Sequence, residues 1–478
     1  MGEQMTQAAE ELPAFWTAKD VEQATAGSWF RPPSPGWAAT GLSIFAPAMQ
    51  PGNMALVRSA TDNCGMLASV VARMAVPPAC IITTDPQQIK QPDIPVFQVA
   101  DGTEALLAMG RYARDRLRGN VIGVTGSAGK TTCVAMLARA LSAWGAVGQS
   151  AHNANLPRGV AWNLASIAWD TPNVVIEMAI GRMGVSARMA RPQVAVFTNI
   201  QPAHLGEKHT LRDIAVTKSA IFWGMAAGAT AILNRDMAEF ETVRDEALRR
   251  KLIIMTYGCH PESDSRLLHY DADGHQVQAQ IGGQTLNYTL AAAGEHMAIN
   301  SLAVLTAVSV LHYPLTPAIE MLTSFMPLAG RGREIAVEIN GCAFTLIDDA
   351  YNANPGSMNA ALASLSDARP AGRRLAILGE MADLGSEAVN YHTALAPVIN
   401  DSNIDRVYMV GESYRACWQA LNDNKKGRYF DSIDALKAEL LSQLRSGDRL
   451  LMKGSHSANI HQLVDWIVAQ NQPGSRPA

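Results

Sequence analysis

Val121-Ile-Gly-Val-Thr-Gly126-Ser-Ala-Gly129-Lys130-Thr131-Thr132 is the stretch on which the reading of this chain turns. Val121 to Val124 is a short apolar run and Cys133 to Trp144 has helical spacing, so the glycine-rich segment carries a strand into a helix. Glycines there let backbone N–H groups turn inward around phosphate oxygens, and the helix N-terminus behind them adds a favourable dipole. Lys130 supplies charge for the β- and γ-phosphates, and Thr131 can place its hydroxyl on Mg²⁺. The longer G-x-x-x-x-G-K-[ST] spacing would need glycine at position 124, where Val124 stands, so the match is to the shorter T-G-x-x-G-K-T form. Gly126, Ser127, Ala128, Gly129, Lys130, Thr131 and Thr132 are therefore the predicted nucleotide cradle. Nothing resembles a guanine-reading NKxD motif, which favours ATP.

Outward from the loop, strand-like runs at Val174–Glu177, Val194–Thr198 and Ala231–Leu233 alternate with helical segments. This pattern predicts a parallel sheet with helices on both faces. A second α/β unit starts near Arg331. It is expected to hold strands at Phe344–Asp348, Arg374–Leu378, Arg406–Val410 and Arg449–Met452, and helices at Ser357–Leu365, Glu387–Ile399 and from Ala458. Before the loop lie a Pro/Gly-rich stretch (RPPSPG, 31–36), short β-like runs at Ala55–Val57 and Cys80–Thr83, and a helical stretch over Glu104–Leu117. The expected division is 1–117, 118–330 and 331–478. Three parts suit a chain of 478 residues, given domains of about 100–200 residues.

Hydrophobic residues make up 48% and charged residues 17%, the composition of a core-forming globular chain, not a disordered or coiled-coil one. Lys plus Arg (39) against Asp plus Glu (43) leaves −4, which argues against a nucleic-acid partner. Six cysteines without CxxC spacing read as buried cytosolic thiols, not as a disulfide or zinc framework. No apolar run approaches the ~18 residues of a membrane span, and the acidic start MGEQMTQAAEE is unlike a signal peptide. It matches the M-G-x-x-x-[ST] lipidation pattern only through Gly2 and Thr6. The expected address is the cytoplasm, with no membrane partner and a monomer or weak oligomer.

Further motifs fall in an order that resembles the Mur ligases. They are TGSAGKTT (125–132), HNAN (152–155), VIEMA (175–179), AHLGE (203–207), VTKSAIF (216–222), GEHMAIN (294–300), GRG (330–332), DDAYNANPGSM (348–358), LGEMADLG (378–385) and LMKGSHS (451–457). DDAYNANPGSM and KGSHS point to the type that joins a dipeptide to a nucleotide-linked peptide. The resemblance covers roughly 118 to 478. It implies the three-domain α/β architecture of that family: a substrate-binding first domain, a P-loop parallel-sheet central domain, and a Rossmann-like C-terminal domain that receives the amine and closes on the nucleotide.

The activity implied is ATP-dependent amide formation through an acyl phosphate, with ATP and two Mg²⁺ ions. By resemblance, Thr131 and Glu177 hold the first Mg²⁺. His204 and Lys218 serve the second, Lys218 as a carbamate, so that Lys130, His204 and Lys218 form the catalytic set. Glu177 ends an apolar run where ligands of parallel sheets bind, although a solvated strand-end carboxylate would look the same. Asn300 would read the adenine edge, with Met297 standing where the family often has Asn. Arg331 would reach phosphate, with Arg333 competing for the role, and Asp349 would reach ribose; an interdomain ion pair is the other reading. Asn153 and Asn155 of HNAN are assigned to substrate. Asn352, Asn354, Lys453 and Ser455 would face the amine or its acyl partner, or else cap loops.

The first region departs from the family. A PG turn survives as Gln50-Pro51-Gly52, but the stretch before it is Leu42-Ser-Ile-Phe-Ala-Pro47, without the polar residues and the Arg that grip a uridine diphosphate. Arg58 lies beyond the turn. The first expectation is thus a ligase acting on a carboxylate other than a UDP-sugar peptide, with an amino-acid or small-peptide amine. The second is a peptidoglycan ligase with a diverged uridine site, adding D-Ala-D-Ala to UDP-MurNAc-tripeptide. The third is an ATP-hydrolysing switch, which would not need the amine-receiving third part.

Overall fold

The computed structural model describes residues 13–202 and 210–471. The chain divides into two compact units. One comprises 1–123, 144–193 and 220–226; the other comprises 124–143, 194–219 and 227–478.

The first unit contains a five-stranded sheet in the order Ser28–Arg31, Val96–Gln98, Ile81–Thr83, Asn53–Val57, Gly41–Ser43. Only its first pair is antiparallel. Asn53–Val57 and Ile81–Thr83 are wholly buried, as the continuous apolar runs of inner parallel strands should be. Helix Gly102–Arg116 packs on helix Pro157–Ser166. A Cβ on Gly110 would lie 2.6 Å from the Cα of Ala161, so glycine sets how closely the two helices approach. Strands Val147–Gln149 and Asn173–Glu177 pair in parallel, and the second is buried throughout and ends on Glu177.

In the second unit, strands Val194–Phe197, Thr230–Asn234, Ile253–Gly258 and Ser265–Asp271 run parallel. The predicted alternation then stops. Gln276–Ile281 and Gln284–Thr289 continue as an antiparallel edge, turning at Gly282–Gly283 with both φ positive. Val277, Ala279 and Ile281 point inward between exposed residues, which is the pattern of a strand with one wet face. Helix Glu295–Val310 is buried along most of its length and lies against the loop helix Lys130–Leu141.

The C-terminal sheet has six strands in the order Arg333–Ile339, Cys342–Asp349, Arg449–Lys453, Arg374–Gly379, Arg406–Val410, Lys426–Phe430. The first pair is antiparallel and the rest are parallel. Its two faces carry separate apolar cores, one including Leu436, Leu463 and Ile467, the other Met358, Leu362 and Leu395. The helix expected over Glu387–Ile399 is split into Ala388–Thr393 and Leu395–Asn400. Pro397 has no N–H to give the carbonyl four residues back, which breaks the ladder there. Of the six cysteines expected to be buried, Cys64, Cys80, Cys133 and Cys417 are, whereas Cys259 is exposed and Cys342 half-buried. Among the described residues no helix is long and apolar enough to cross a membrane.

Candidate active site

Strand Asn120–Thr125 delivers the phosphate loop to the start of helix Lys130–Leu141. Gly126 has φ 149°, and a Cβ there would fall 1.9 Å from Thr198 Oγ1, so no other residue fits. Gly129, φ 76°, caps the helix. The segment after strand Val194–Phe197 braces the loop. Thr198 Oγ1 donates to Ala128 O (2.6 Å), Asn199 Oδ1 accepts from Ala128 N (2.8 Å), and Ser127 N donates to Asn199 O (3.0 Å). Ser127 Oγ exchanges bonds with the backbone of Gln201. These braces escaped the sequence reading, although Thr198 and Asn199 follow an apolar run just as Glu177 does. The rule that places ligands at strand ends would have found them.

Two lysines converge on one oxygen. Lys130 Nζ donates to Gly126 O at 3.1 Å, and Lys218 Nζ donates to the same oxygen at 3.0 Å. Lys218 is 2% exposed and ends helix Leu211–Lys218, which starts from a capping box between Thr210 and Asp213. The Lys130 ammonium at a helix N-terminus makes an anion-attracting spot. His204 lies outside the described residues.

Arg331 reaches the same loop, its Nη2 standing 3.4 Å from Thr131 Oγ1. Arg333 is exposed on strand Arg333–Ile339, so Arg331 is the arginine at the loop. The Gly330–Gly332 turn is fastened by Asp348. Its carboxylate accepts from Gly330 N (2.6 Å) and Ala350 N (3.4 Å), and its carbonyl accepts from Gly332 N (2.8 Å). Burial pushes the Asp348 carboxyl above its ordinary range against these bonds.

The carboxamide of Asn300, almost buried, lies 3.5 Å from where a Cβ on Gly129 would sit. One turn earlier on its helix, His296 lines a cavity of about 380 Å³ together with Tyr270, His275, Ile299, Ala363 and Ser364. Desolvation holds His296 below the ordinary imidazole value, so the ring is neutral at physiological pH.

At the carboxyl ends of neighbouring parallel strands, Asp349 and Lys453 are register partners and form an ion pair at 2.7 Å. Lys453 also donates to Asn352 O at 3.2 Å. Ser455 donates from N and Oγ to Glu380 O. Asn354, read from the sequence as a contact to the substrates or a loop cap, caps helix Pro355–Asp367, its Oδ1 accepting from Ser357 N at 2.8 Å. Its side-chain oxygen is committed to the helix terminus.

In the first unit, Asn155 Nδ2 donates to Glu177 Oε1 at 2.8 Å, and Glu177, 3% exposed, takes a bond from Ser150 Oγ on its own N–H. Asn163 holds this loop from beneath through Ala151 N and Ala154 O. Asn153 is exposed with φ 53°. The carbonyl of Leu42 accepts from both Trp162 Nε1 (2.8 Å) and Ser166 Oγ (2.6 Å). Phe45 is 44% exposed, its ring edge-on to His152.

Among the described residues no group of three or more His, Cys, Asp or Glu could hold a metal by itself. The donors present suit Mg²⁺, which takes one or two carboxylates plus phosphate oxygens, not an all-protein cage.

A braced phosphate loop, two converging lysines and an arginine at the loop define an enzyme that works on a nucleotide's phosphates. Residues 124–308 match the Mur ligase middle domain, and 332–456 match the Mur ligase glutamate ligase domain. The chain is 28% identical over 377 residues to the UDP-N-acetylmuramoyl-tripeptide--D-alanyl-D-alanine ligase of Rickettsia prowazekii, covering 78% of this chain and 83% of the relative. The ligase of the same name from Escherichia coli is 29% identical over 379 residues, covering 78% and 82%. The crystal structure of MurF from Acinetobacter baumannii superposes with a TM-score of 0.80 at 25% identity, over 96% of this chain and 99% of that one. The chain belongs to the Mur ligase family and is MurF-like. It is an ATP-dependent, ADP-forming ligase that joins a carboxylate to an amine.

Proposed function

We propose that this ligase activates a carboxylate that carries no uridine diphosphate and couples it to an amino acid or small peptide. The observation that carries the reading is the contrast within the chain. The phosphate site is built atom by atom, whereas Leu42–Pro47 offers Phe45 and no charged side chain where a diphosphate would need a grip.

ATP lies on Gly126–Thr132 with Lys130 and Arg331 on its phosphates. Asn300 and the cavity beside His296 receive the base, and Asp349 reaches the ribose in exchange with Lys453. By the family resemblance Thr131 and Glu177 would hold Mg²⁺, which would offset phosphate charge. Lys218 as its carbamate, with His204, serves a second ion; the buried Nζ beside Gly126 supports that role. Asn155 sets the carboxylate of Glu177, and the exposed Asn153 stands at the edge of the same loop toward the acyl substrate. A substrate carboxylate oxygen attacks the γ-phosphorus as ADP leaves, giving an acyl phosphate. The amine, near Asn352, Lys453 and Ser455, then attacks the acyl carbon, and phosphate departs with loss of a proton from nitrogen. The enzyme's part is positioning and charge neutralisation, as in other phosphoryl transfers. The three parts 1–117, 118–330 and 331–478 take the acyl substrate, ATP and the amine in turn.

The names of the relatives favour a second reading, ligation of D-Ala-D-Ala to UDP-MurNAc-tripeptide. Phosphate release measured with ATP against UDP-MurNAc-tripeptide and against carboxylates without a nucleotide, each with and without amine, decides between them. Amine-dependent turnover with the non-nucleotide acids alone is expected. Efficient turnover of the UDP-tripeptide overturns the reading.

A further inference from the structure

The arginine at the phosphate loop is held by something the reaction scheme leaves unused. Arg331 Cζ lies 4.0 Å from the centroid of the Tyr351 ring, while its Nη2 faces Thr131. The two residues are joined at their backbones. Tyr351 N donates to Gly330 O at 3.2 Å, and a Cβ on Gly330 would fall 2.7 Å from Tyr351 Cβ. Asp348 locks both segments, accepting from Gly330 N on one side and Ala350 N on the other. The ring is itself backed from the KGSHS segment. His456 meets it at 73° with centroids 6.2 Å apart, and His456 stacks on His461 at 4.3 Å.

We infer that Tyr351 is a positioning residue: its ring face fixes the plane of the Arg331 guanidinium so that the N–H edge meets the terminal phosphate beside Thr131. This rests on the ATP reading above. An aromatic face is suited to the task because it orients a guanidinium through the ring quadrupole without occupying its N–H groups or cancelling its charge. The Thr131 hydroxyl marks the β/γ end of the nucleotide. The contribution of Tyr351 therefore belongs to the γ-phosphate, and ADP should be nearly blind to it.

The test is calorimetric binding of ADP and of the β,γ-methylene analogue of ATP, with Mg²⁺, to the full chain and its variants, each checked for an unchanged melting temperature. Tyr351→Leu should weaken the analogue about three- to tenfold while leaving ADP within about twofold, the range expected for one cation–π contact. Tyr351→Phe, which keeps a ring face, should bind both nearly as the wild type does. Arg331→Lys, which keeps the charge and loses the plane, should behave as Tyr351→Leu. Arg331→Ala combined with Tyr351→Leu should be no weaker than Arg331→Ala alone, because the ring acts only through the arginine. Wild-type analogue affinity in Tyr351→Leu or Arg331→Lys, equal loss for both nucleotides in Tyr351→Leu, or an additive double variant overturns the inference. Lys130→Ala is run alongside. If it binds both nucleotides normally, the phosphate-loop reading falls and takes this one with it. If it loses them while Tyr351→Leu does not change the analogue, the inference alone is overturned.

Discussion

Gly126–Thr132 and Leu42–Pro47 both lie at the carboxyl end of a strand, and they are built on opposite plans. In the first, side chains from Thr198, Asn199, Lys130, Lys218 and Arg331 meet the loop at defined atoms, and a single methyl group at Gly126 would collide with Thr198. In the second, the backbone is held just as firmly, through the carbonyl of Leu42 and the bond from Ser43 Oγ to Phe45 O, but the side chains turned outward are apolar. A polyphosphate is the same in every turnover and constrains every atom that touches it. An acyl substrate constrains only side chains, which change without disturbing the strands beneath.

The sharpest attempt to break this contrast uses the substrate. Each missing charge-assisted contact is worth about 1.5–3 kcal/mol, so losing two or three should leave UDP-MurNAc-tripeptide roughly 10³-fold or more below the true acyl substrate in kcat/KM. Rescue of a strain lacking its own MurF by this chain would show the two loops to be equally conserved in function.

Next in size, Lys130→Ala should lower ATP turnover by about 10²–10³-fold without loss of fold. A folded variant with near-native turnover would make the first loop as permissive as the second. Lys218→Ala should be nearly inactive and partly recovered by acetate, whose carboxylate can occupy the place of the proposed carbamate. Full activity without acetate would reduce Lys218 to a packing residue.

The smallest functional effect is expected away from both loops. Asp448, buried between strand ends, is bonded by Arg373 Nε and Nη2 and by the backbone N–H groups of Arg373 and Arg445. Burial pushes its carboxyl up, but these bonds together outweigh it and hold the group below the usual carboxylate range. The stability it confers is therefore present at neutral pH and is lost as pH falls through its depressed folded value. Asp448→Ala should cost about 3 kcal/mol at pH 7 in denaturant melts, with the gap to wild type closing in strong acid and the KM for ATP unchanged. A gap that stays constant down to pH 2 would refute that assignment.

The same contrast explains how much could be read from the residues alone. The phosphate loop and the buried strand ending on Glu177 were legible because glycine, lysine and a carboxylate at a strand end have few other reasons to occur together. Asn354 could be read two ways because a carboxamide before Pro355 serves a helix terminus as readily as a ligand. The antiparallel edge was missed although Gly282–Gly283 between alternating residues is a hairpin signal. Asp348 and Tyr351 were invisible because their partners are set by a turn whose shape only tertiary structure fixes. The split at Ala394 follows from one proline inside an otherwise helical pattern.

The doubly bonded carbonyl of Leu42 has a consequence for how such a chain diversifies. Trp162 and Ser166 grip the main chain, so the anchor is indifferent to the identity of residues 44–48. Natural drift, or loop grafting in the laboratory, can rewrite that segment while the hinge on which it hangs stays put. Under the proposed function, a new acyl preference is then open to a handful of substitutions on one short surface loop, with the catalytic half inherited whole.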